Sequence, residues 1–391
     1  VGASLLLVGV LFGPLAVGRV VLNPYEGVDW ETAEQHSANL HTHTTHSDGT
    51  KAPHERIDEY YEHGYTILSL TDHDTHNPQG PLTYPWSELG EMEHWSEWKE
   101  DLLMWRHRLI LHNGEYYLCE ATHFSTPKTE PGRGDEWRNV WKKTAEWENR
   151  DPTALGMIAV VGAEISSTVH IGSHFNDFTG AGSSNEDYVL HQIQSRGGLA
   201  QFFHPGRYTH DDPTQLVDWY AHYFLTYECL VGLEVYNGAD HYPTDRELWD
   251  NILMKTLPDK PVWAFGNDDN HESVVGRDFL ASWTVFVLDE LTPQAVQSAY
   301  RSGALLACNK TDADAPDPPR VHRITVAADS VITIDATGYD EIRWIANGRV
   351  VADTHVIDVT DIDVSYVRAK LVKYGERGEA RTLTQPFVLE S

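Results

Sequence analysis

The chain has 391 residues and a mass of 44.2 kDa, enough for one large domain or two smaller ones. Hydrophobic residues make up 41%, which supplies a real core and excludes disordered, collagen-like and coiled-coil chains. Fifty-nine acids against 29 bases give a formal charge of −30; such a surface repels phosphate backbones, so no nucleic-acid-binding surface is expected.

Residues 1–18 carry no charge and end at Arg19, and they read as the apolar part of a signal peptide or membrane anchor. Eighteen residues span a bilayer only marginally, and Gly9, Gly13 and Pro14 weaken a helix there. The segment is expected either to dock on a neighbouring copy, giving a homo-oligomer or filament, or to act as a membrane anchor. Both favour export to the extracellular space or cell surface. Residues 19–38 then read as a polar connection.

From there to about residue 310, short apolar runs end in polar clusters. The runs lie at 38–40, 66–70, 157–161, 199–203, 230–235, 262–265 and 284–288, bounded by turn residues as buried parallel strands are. Helical patterns fall between several of them, at 54–63, at 186–196 and after Thr292 up to Gly303. Such alternation predicts an α/β barrel or a doubly wound sheet over residues 19–310. An insertion at 77–153 interrupts it and holds seven of the thirteen tryptophans, at 86, 95, 98, 105, 137, 141 and 147. Its length predicts a helical insertion that lids the site or supplies an interface, whose tryptophans mostly pack its own small core. Residues 312–319 (DADAPDPP) read as a linker. Alternating strands across 320–391, with an Asn347-Gly348 hairpin turn, then predict a small C-terminal antiparallel β-sandwich.

Three cysteines, Cys119, Cys229 and Cys308, form no C-x-x-C and leave the compartment undecided. Histidine is more telling, with 22 residues against ten lysines. The polar clusters after the apolar runs gather His41, His43, His46 and Asp48, then Asp72, His73 and Asp74. Further on come Glu164, His170 and His174, then His204 and Arg207, then Asp268, Asp269 and His271. The ends of parallel strands open on one face, so five distant segments can deliver these groups to one place. In H-x-H, strand alternation puts both imidazoles on one side, and Asp269-x-His271 repeats that logic. Carboxylates mixed with imidazoles suit Zn²⁺, Mn²⁺ or Fe, and nine ligands exceed what one tetrahedral ion needs.

The series HTHTTHSDG, TDHD, GAEIS…SHFN, FFHPG and GNDDNH resembles the PHP (polymerase and histidinol phosphatase) metallohydrolases over residues 39 to about 310. The resemblance implies a distorted (β/α)7 barrel holding two to three divalent ions, zinc first and manganese or iron as alternatives. It implies that His41, His43, Glu164 and Asp269 hold the first ion, and that Glu164 bridges to a second completed by His174 and His204. Asp48, His73 and His271 hold the third. His174 is preferred to His170 because SHFN resembles the family's Gly-His-x-Asn segment, and Asp269 to Asp268 because D-x-H needs it. His46, His76 and His210 fall outside the motif. Arg207 is the candidate phosphate clamp, with a surface ion pair to Asp211 or Asp212 as its bland alternative.

The expected activity is a metal-dependent phosphoesterase acting on a small phosphorylated substrate. The segment from SYVRA to TQPF is also similar to exported, carbamate-cleaving relatives, so an amide, carbamate or ester hydrolase on the same site is the second reading. An assembly-forming extracellular protein is the third.

Overall fold

The computed structural model describes residues 18–45, 47–73, 96–104, 109–119, 121–143, 155–178 and 185–390. The tail up to residue 17, His46, Asp74, His76 and Trp86, Trp95, Trp105 and Trp147 lie outside the described residues. Among the described residues no helix is long and apolar enough to cross a membrane.

The architecture is mixed α/β with many strands and few helices. The apolar runs become strands because each side chain is buried: Leu199–Phe202, Leu230–Asn237 and Trp263–Asn267 are buried throughout. Helix Pro293–Ser302 begins where the Thr292 hydroxyl accepts from Ala295 N at 3.2 Å, and stops at Gly303 with φ 84°.

Two sheets frame the site. A five-stranded sheet runs in the order Gly162–Ile165, Ile171–His174, Leu199–Phe202, Leu230–Asn237, Trp263–Asn267. Its last three strands are parallel, but Ile171–His174 runs antiparallel to both neighbours. An eleven-stranded sheet contains Ser282–Leu288, Glu34–Asn39, Ile67–Leu68 and Ile158–Ala159, the last three parallel to one another. Side chains such as Leu40, Ile67, Leu199, Val231, Phe265 and Phe286 fill one apolar cluster drawn from both sheets.

Among the described residues the sheets do not close into one hydrogen-bonded (β/α)7 cylinder. They meet instead at two single bridges, Thr42↔Asn270 and His73↔Glu164. Both seams fall among the residues that the motif series singled out.

The strands after residue 320 do not stand apart from this frame. Tyr366–Tyr374, Glu379–Thr384 and Phe387–Glu390 extend the eleven-stranded sheet through Leu305–Lys310, and a three-stranded sheet of Arg320–Ala327, Val331–Thr337 and Val356–Asp358 packs with it in a second apolar cluster that includes Val285, Leu306, Val321, Ile332, Leu371 and Phe387. Asn347 (φ 49°) and Gly348 (φ 70°) form the expected tight turn. Residues 19–22 are not a loop: Arg19–Leu22 pairs with Phe387–Glu390 as the sheet's edge strand.

The described part of the insertion is β-structured, not helical. Ser96–Glu97, Leu109–His112, Glu115–Cys119 and Trp141–Lys143 make a four-stranded sheet over a core of Met104, Ile110, Tyr117, Cys119 and Trp141, flanked by Trp98 and Trp137. Asn113 (φ 54°) and Gly114 (φ 78°) turn its central hairpin, the same dipeptide signal as at 347–348. Cys119, Cys229 and Cys308 are all buried.

Candidate metal centre

Most polar groups of the site follow the end of a strand, while Glu164 lies within Gly162–Ile165 and Glu234 within Leu230–Asn237. After Glu34–Asn39 the chain carries His41 and His43, both fully buried, into a turn at 44–49. The turn packs tightly: a Cβ on Gly49 would lie 2.5 Å from the His43 carbonyl. Asp72 pins it, accepting from Thr44 N at 2.7 Å, Thr44 Oγ1 at 2.7 Å and Ser47 Oγ at 2.8 Å. His204 and Asp269 follow Leu199–Phe202 and Trp263–Asn267, and both hold left-handed backbone, φ 30° and φ 52°. Such conformations cost about 1–3 kcal/mol each and persist where the surroundings over-determine them.

Glu164 sits at the centre, 1% exposed. Its Oε1 meets His170 Nδ1 at 2.6 Å and His204 Nε2 at 3.0 Å. Its Oε2 is faced by His41 Nε2 (3.3 Å), His43 Nε2 (3.2 Å) and His73 Nδ1 (3.2 Å), yet has no hydrogen bond of proper geometry. Asp269 Oδ1 lies 3.1 Å from both His41 Nε2 and His43 Nε2. On the outer side Asp48 Oδ2 approaches His271 Nε2 at 3.3 Å and His73 Nε2 at 3.6 Å.

Electrostatics follow from this crowding. Burial opposes charge on His41, but Asp269, Glu234 and Glu164 overcome it and lift the imidazole well above its ordinary range. Burial likewise opposes charge on His73 and His271; the carboxylates around them raise both to about 9. Burial would raise the Glu164, Asp269 and Asp48 carboxyls, and the facing histidines hold all three well below the usual range. Asp268 is different: burial raises it to about 6, while it accepts from Ala281 N (2.8 Å), Ser282 N (2.9 Å) and Tyr60 Oη (2.9 Å). It braces the loop, and Asp269 faces the cluster.

The donor set fits divalent ions. His41 Nδ1 lies 2.8 Å from Glu234 Oε1, an acceptor, so Nδ1 carries a proton, and Nε2 faces the carboxylate oxygens, where it holds a second proton in the metal-free site and would give it up to ligate a cation. His43 Nε2 is only 3.1 Å from that same nitrogen. Imidazole nitrogens and carboxylates so placed need protons or a cation among them, and imidazole with carboxylate suits Zn²⁺, Mn²⁺ or Fe. Among the described residues, four groups have ligand atoms within 4.8 Å of one another: His41, His43 and Glu164; His41, His204 and Asp269; His73, Glu164 and His170; and His43, Asp48, His73 and His271.

Of the residues singled out in the sequence, His41, His43, Asp48, His73, Glu164, His204, Asp269 and His271 come together, whereas His174 does not. In the antiparallel hairpin it pairs with Gly162 and Leu199, the far ends of their strands, while His170 at the hairpin's other end reaches Glu164. His174 is buried at 3.0 Å from Leu40 O and 3.1 Å from Tyr300 Oη, and burial lowers it to about 4, so it stays neutral. His210 lies on the surface. Arg207 is exposed on the short helix Gly206–Thr209, its guanidinium 6.0 Å from the Tyr208 ring centre. Among the described residues it makes no ion pair; Asp211 accepts from Thr244, and Asp212 from Thr214 and Gln215.

Glu234 went unremarked in the sequence. A lone acid inside the apolar run LVGLEV was its signal, since a buried strand tolerates a charge only where hydrogen bonds satisfy it.

No protein-family model and no curated protein matches the chain. Among solved structures it matches a two-domain protein containing a predicted PHP-like metal-dependent phosphoesterase from Bacteroides vulgatus, at 14% identity over 94% of this chain and 90% of that one, with a TM-score of 0.45. A protein described as a metal-dependent phosphoesterase from Bifidobacterium adolescentis matches at 14% identity, covering 60% and 87% of the two chains, with a TM-score of 0.31. An amidohydrolase from Chromobacterium violaceum, with bound sulfate and no metal, matches at 15% identity over 60% and 88%, with a TM-score of 0.28. The chain is thus similar to proteins named as PHP-like metal-dependent phosphoesterases and as an amidohydrolase, and its own motif series resembles the PHP metallohydrolases.

Proposed function

We propose that the chain is a metal-dependent phosphoesterase hydrolysing small organic phosphate esters at a di- or trinuclear site, with zinc first and manganese or iron as alternatives. The observation that carries this reading is Glu164 Oε2, buried without a hydrogen bond and faced by three imidazole nitrogens. His41, His43, Glu164, His204 and Asp269 would hold ions on the inner side, with His170 in the role expected of His174. His43, Asp48, His73 and His271 would hold one on the outer side. Divalent ions bound there would supply activation of water near neutral pH and neutralisation of phosphoryl oxygens.

The chain's own groups do the rest. Glu234 keeps His41 in the tautomer that offers Nε2. Arg207, unengaged by Asp211 or Asp212, binds the ester's anionic oxygens beside Tyr208 and Tyr242, whose rings lie 5.8 and 6.3 Å from His204. The β/α barrel of the resemblance remains part of this reading, its open seams being the places where the ligands meet.

Elemental analysis of purified protein, paired with p-nitrophenyl phosphate turnover before and after chelation, tests the proposal. Two or three ions per chain with chelator-sensitive phosphate release supports it. Ions without phosphate release moves the activity to amide, carbamate or ester bonds, and absence of ions ends the catalytic reading. The proposals of export and of assembly or anchoring through residues 1–18 are tested by deleting them; loss of assembly or membrane association with turnover intact supports them.

A further inference from the structure

We infer that two buried carboxylates, Glu234 and Asp72, divide the site: Glu234 positions the ion site of His41, His204 and Asp269, and Asp72 positions that of His43, Asp48, His73 and His271. The inference rests on the metal-hydrolase reading and adds positioning residues to it.

Glu234 is fully buried within Leu230–Asn237. Each of its oxygens has two partners. Oε1 accepts from His41 Nδ1 (2.8 Å) and Asn267 Nδ2 (2.9 Å); Oε2 accepts from His204 N (2.7 Å) and Asn237 Nδ2 (3.0 Å). Both asparagines extend the hold. Asn237 Nδ2 also reaches Asp269 Oδ2 at 3.3 Å, and Asn267 Oδ1 accepts from Leu40 N at 3.0 Å, beside His41. One carboxylate therefore fastens the three segments that meet in one of the four ligand groups.

Asp72, 2% exposed, fastens a different part. Its partners Thr44 and Ser47 hold the turn, and Ser47 Oγ contacts Asp48 Oδ1 at 3.1 Å and His43 Nδ1 at 3.3 Å. Among the described residues, no side-chain partner of Asp72 is a partner of Glu234.

The consequence is selective. In E234Q only one of the two side-chain heteroatoms can accept. The amide nitrogen must then face either the His41 and Asn267 donors or the His204 and Asn237 donors, and donors would meet donors. Either arrangement loosens His41, His204 or Asp269 and leaves the 44–49 turn untouched. D72N frees that turn and leaves the Glu234 network whole.

The experiment uses the full chain, stripped and reloaded with Mn²⁺ alone. Calorimetric titration gives the number and affinity of bound ions, anomalous diffraction locates them, and metal-free melting reports folding. Removal of such an outer partner typically weakens metal affinity about 10- to 100-fold. E234Q should lose that much at the His41/His204/Asp269 position and keep the other, and D72N should do the reverse. N237A, which introduces no mismatched amide, should weaken the first position alone and serves if E234Q does not fold. Weakening of both positions together in each folded variant, or of neither, overturns the inference. Wild-type protein that binds neither Mn²⁺ nor Zn²⁺ nor Fe²⁺ overturns the metal-hydrolase reading itself, and that result is read before any variant is made.

Discussion

Replacing Glu164 by Gln removes one charge from the centre of five imidazoles. The contacts run from 2.6 Å to His170 to 3.3 Å to His41, and the carboxylate is buried. At about 3.2 Å and an effective dielectric of about 20, one full charge pair is worth about 5 kcal/mol before desolvation is counted. The measured cost of breaking one partner from a buried pair is smaller, about 3–5 kcal/mol. Unfolding entropy of about 2.1 cal/mol/K per residue gives about 0.8 kcal/mol/K for this chain, so metal-free E164Q should melt about 4–6 °C below wild type near pH 6. Glu164 also belongs to two of the four ligand groups, so its loss should exceed the roughly 100-fold affinity penalty of an outer-shell partner. Turnover of p-nitrophenyl phosphate at limiting metal should fall accordingly and recover in part with excess metal. Metal-free melting within about 1 °C of wild type, together with unchanged turnover at limiting metal, would refute Glu164 as the electrostatic centre.

The outer histidines make a pH prediction. His73 and His271 are lifted from 6.5 to about 9, so the stability they contribute is full below about 6.5 and is lost as pH rises through about 9. Metal-free protein should therefore melt lower at pH 9 than at pH 6.5, while the increment gained on adding Mn²⁺ grows over that window as protons cease to compete; a metal-free melting curve rising with pH contradicts this. R207A should lower kcat/KM for p-nitrophenyl phosphate about 10- to 100-fold, the worth of a charge-assisted hydrogen bond, with metal content unchanged. An equal loss on a neutral ester would deny Arg207 its anion-binding role. Away from the site, Arg368 Nε and Nη2 bind Asp250 at 2.7 and 2.6 Å, joining strand Tyr366–Tyr374 to helix Asp245–Thr256. R368A leaves a buried carboxylate uncompensated and should cost about 3–5 kcal/mol in urea unfolding, whereas R368A combined with D250A should cost less than the sum of the single changes.

Local signals in the sequence carried far where the physics was local. Capping at Thr292 and Gly303, the Asn347-Gly348 turn and the fully apolar strands each depend on residues within a few positions of one another. The insertion shows the limit of reading by length alone. Its length suggested a helical insertion, yet Asn113-Gly114 between LILH and EYYLC already marked a hairpin. Arg19–Leu22 could not be found from its own residues, because its partner strand lies more than 360 residues away in sequence.

The identities of most site residues followed from the sequence, since five His- and carboxylate-bearing clusters end five strand-like runs. Choosing between His170 and His174 required the direction of one strand. Ile171–His174 runs antiparallel to its neighbours, so its first end, not its last, faces Glu164. Composition cannot give that direction, because strand pairing is a long-range hydrogen-bonding outcome. The same holds for Glu234, whose partners His41, His204, Asn237 and Asn267 come from four segments. Residue type and spacing determined which groups could bind metal; only the tertiary structure decided which of them share one point, because burial and strand register bring distant segments within hydrogen-bonding reach.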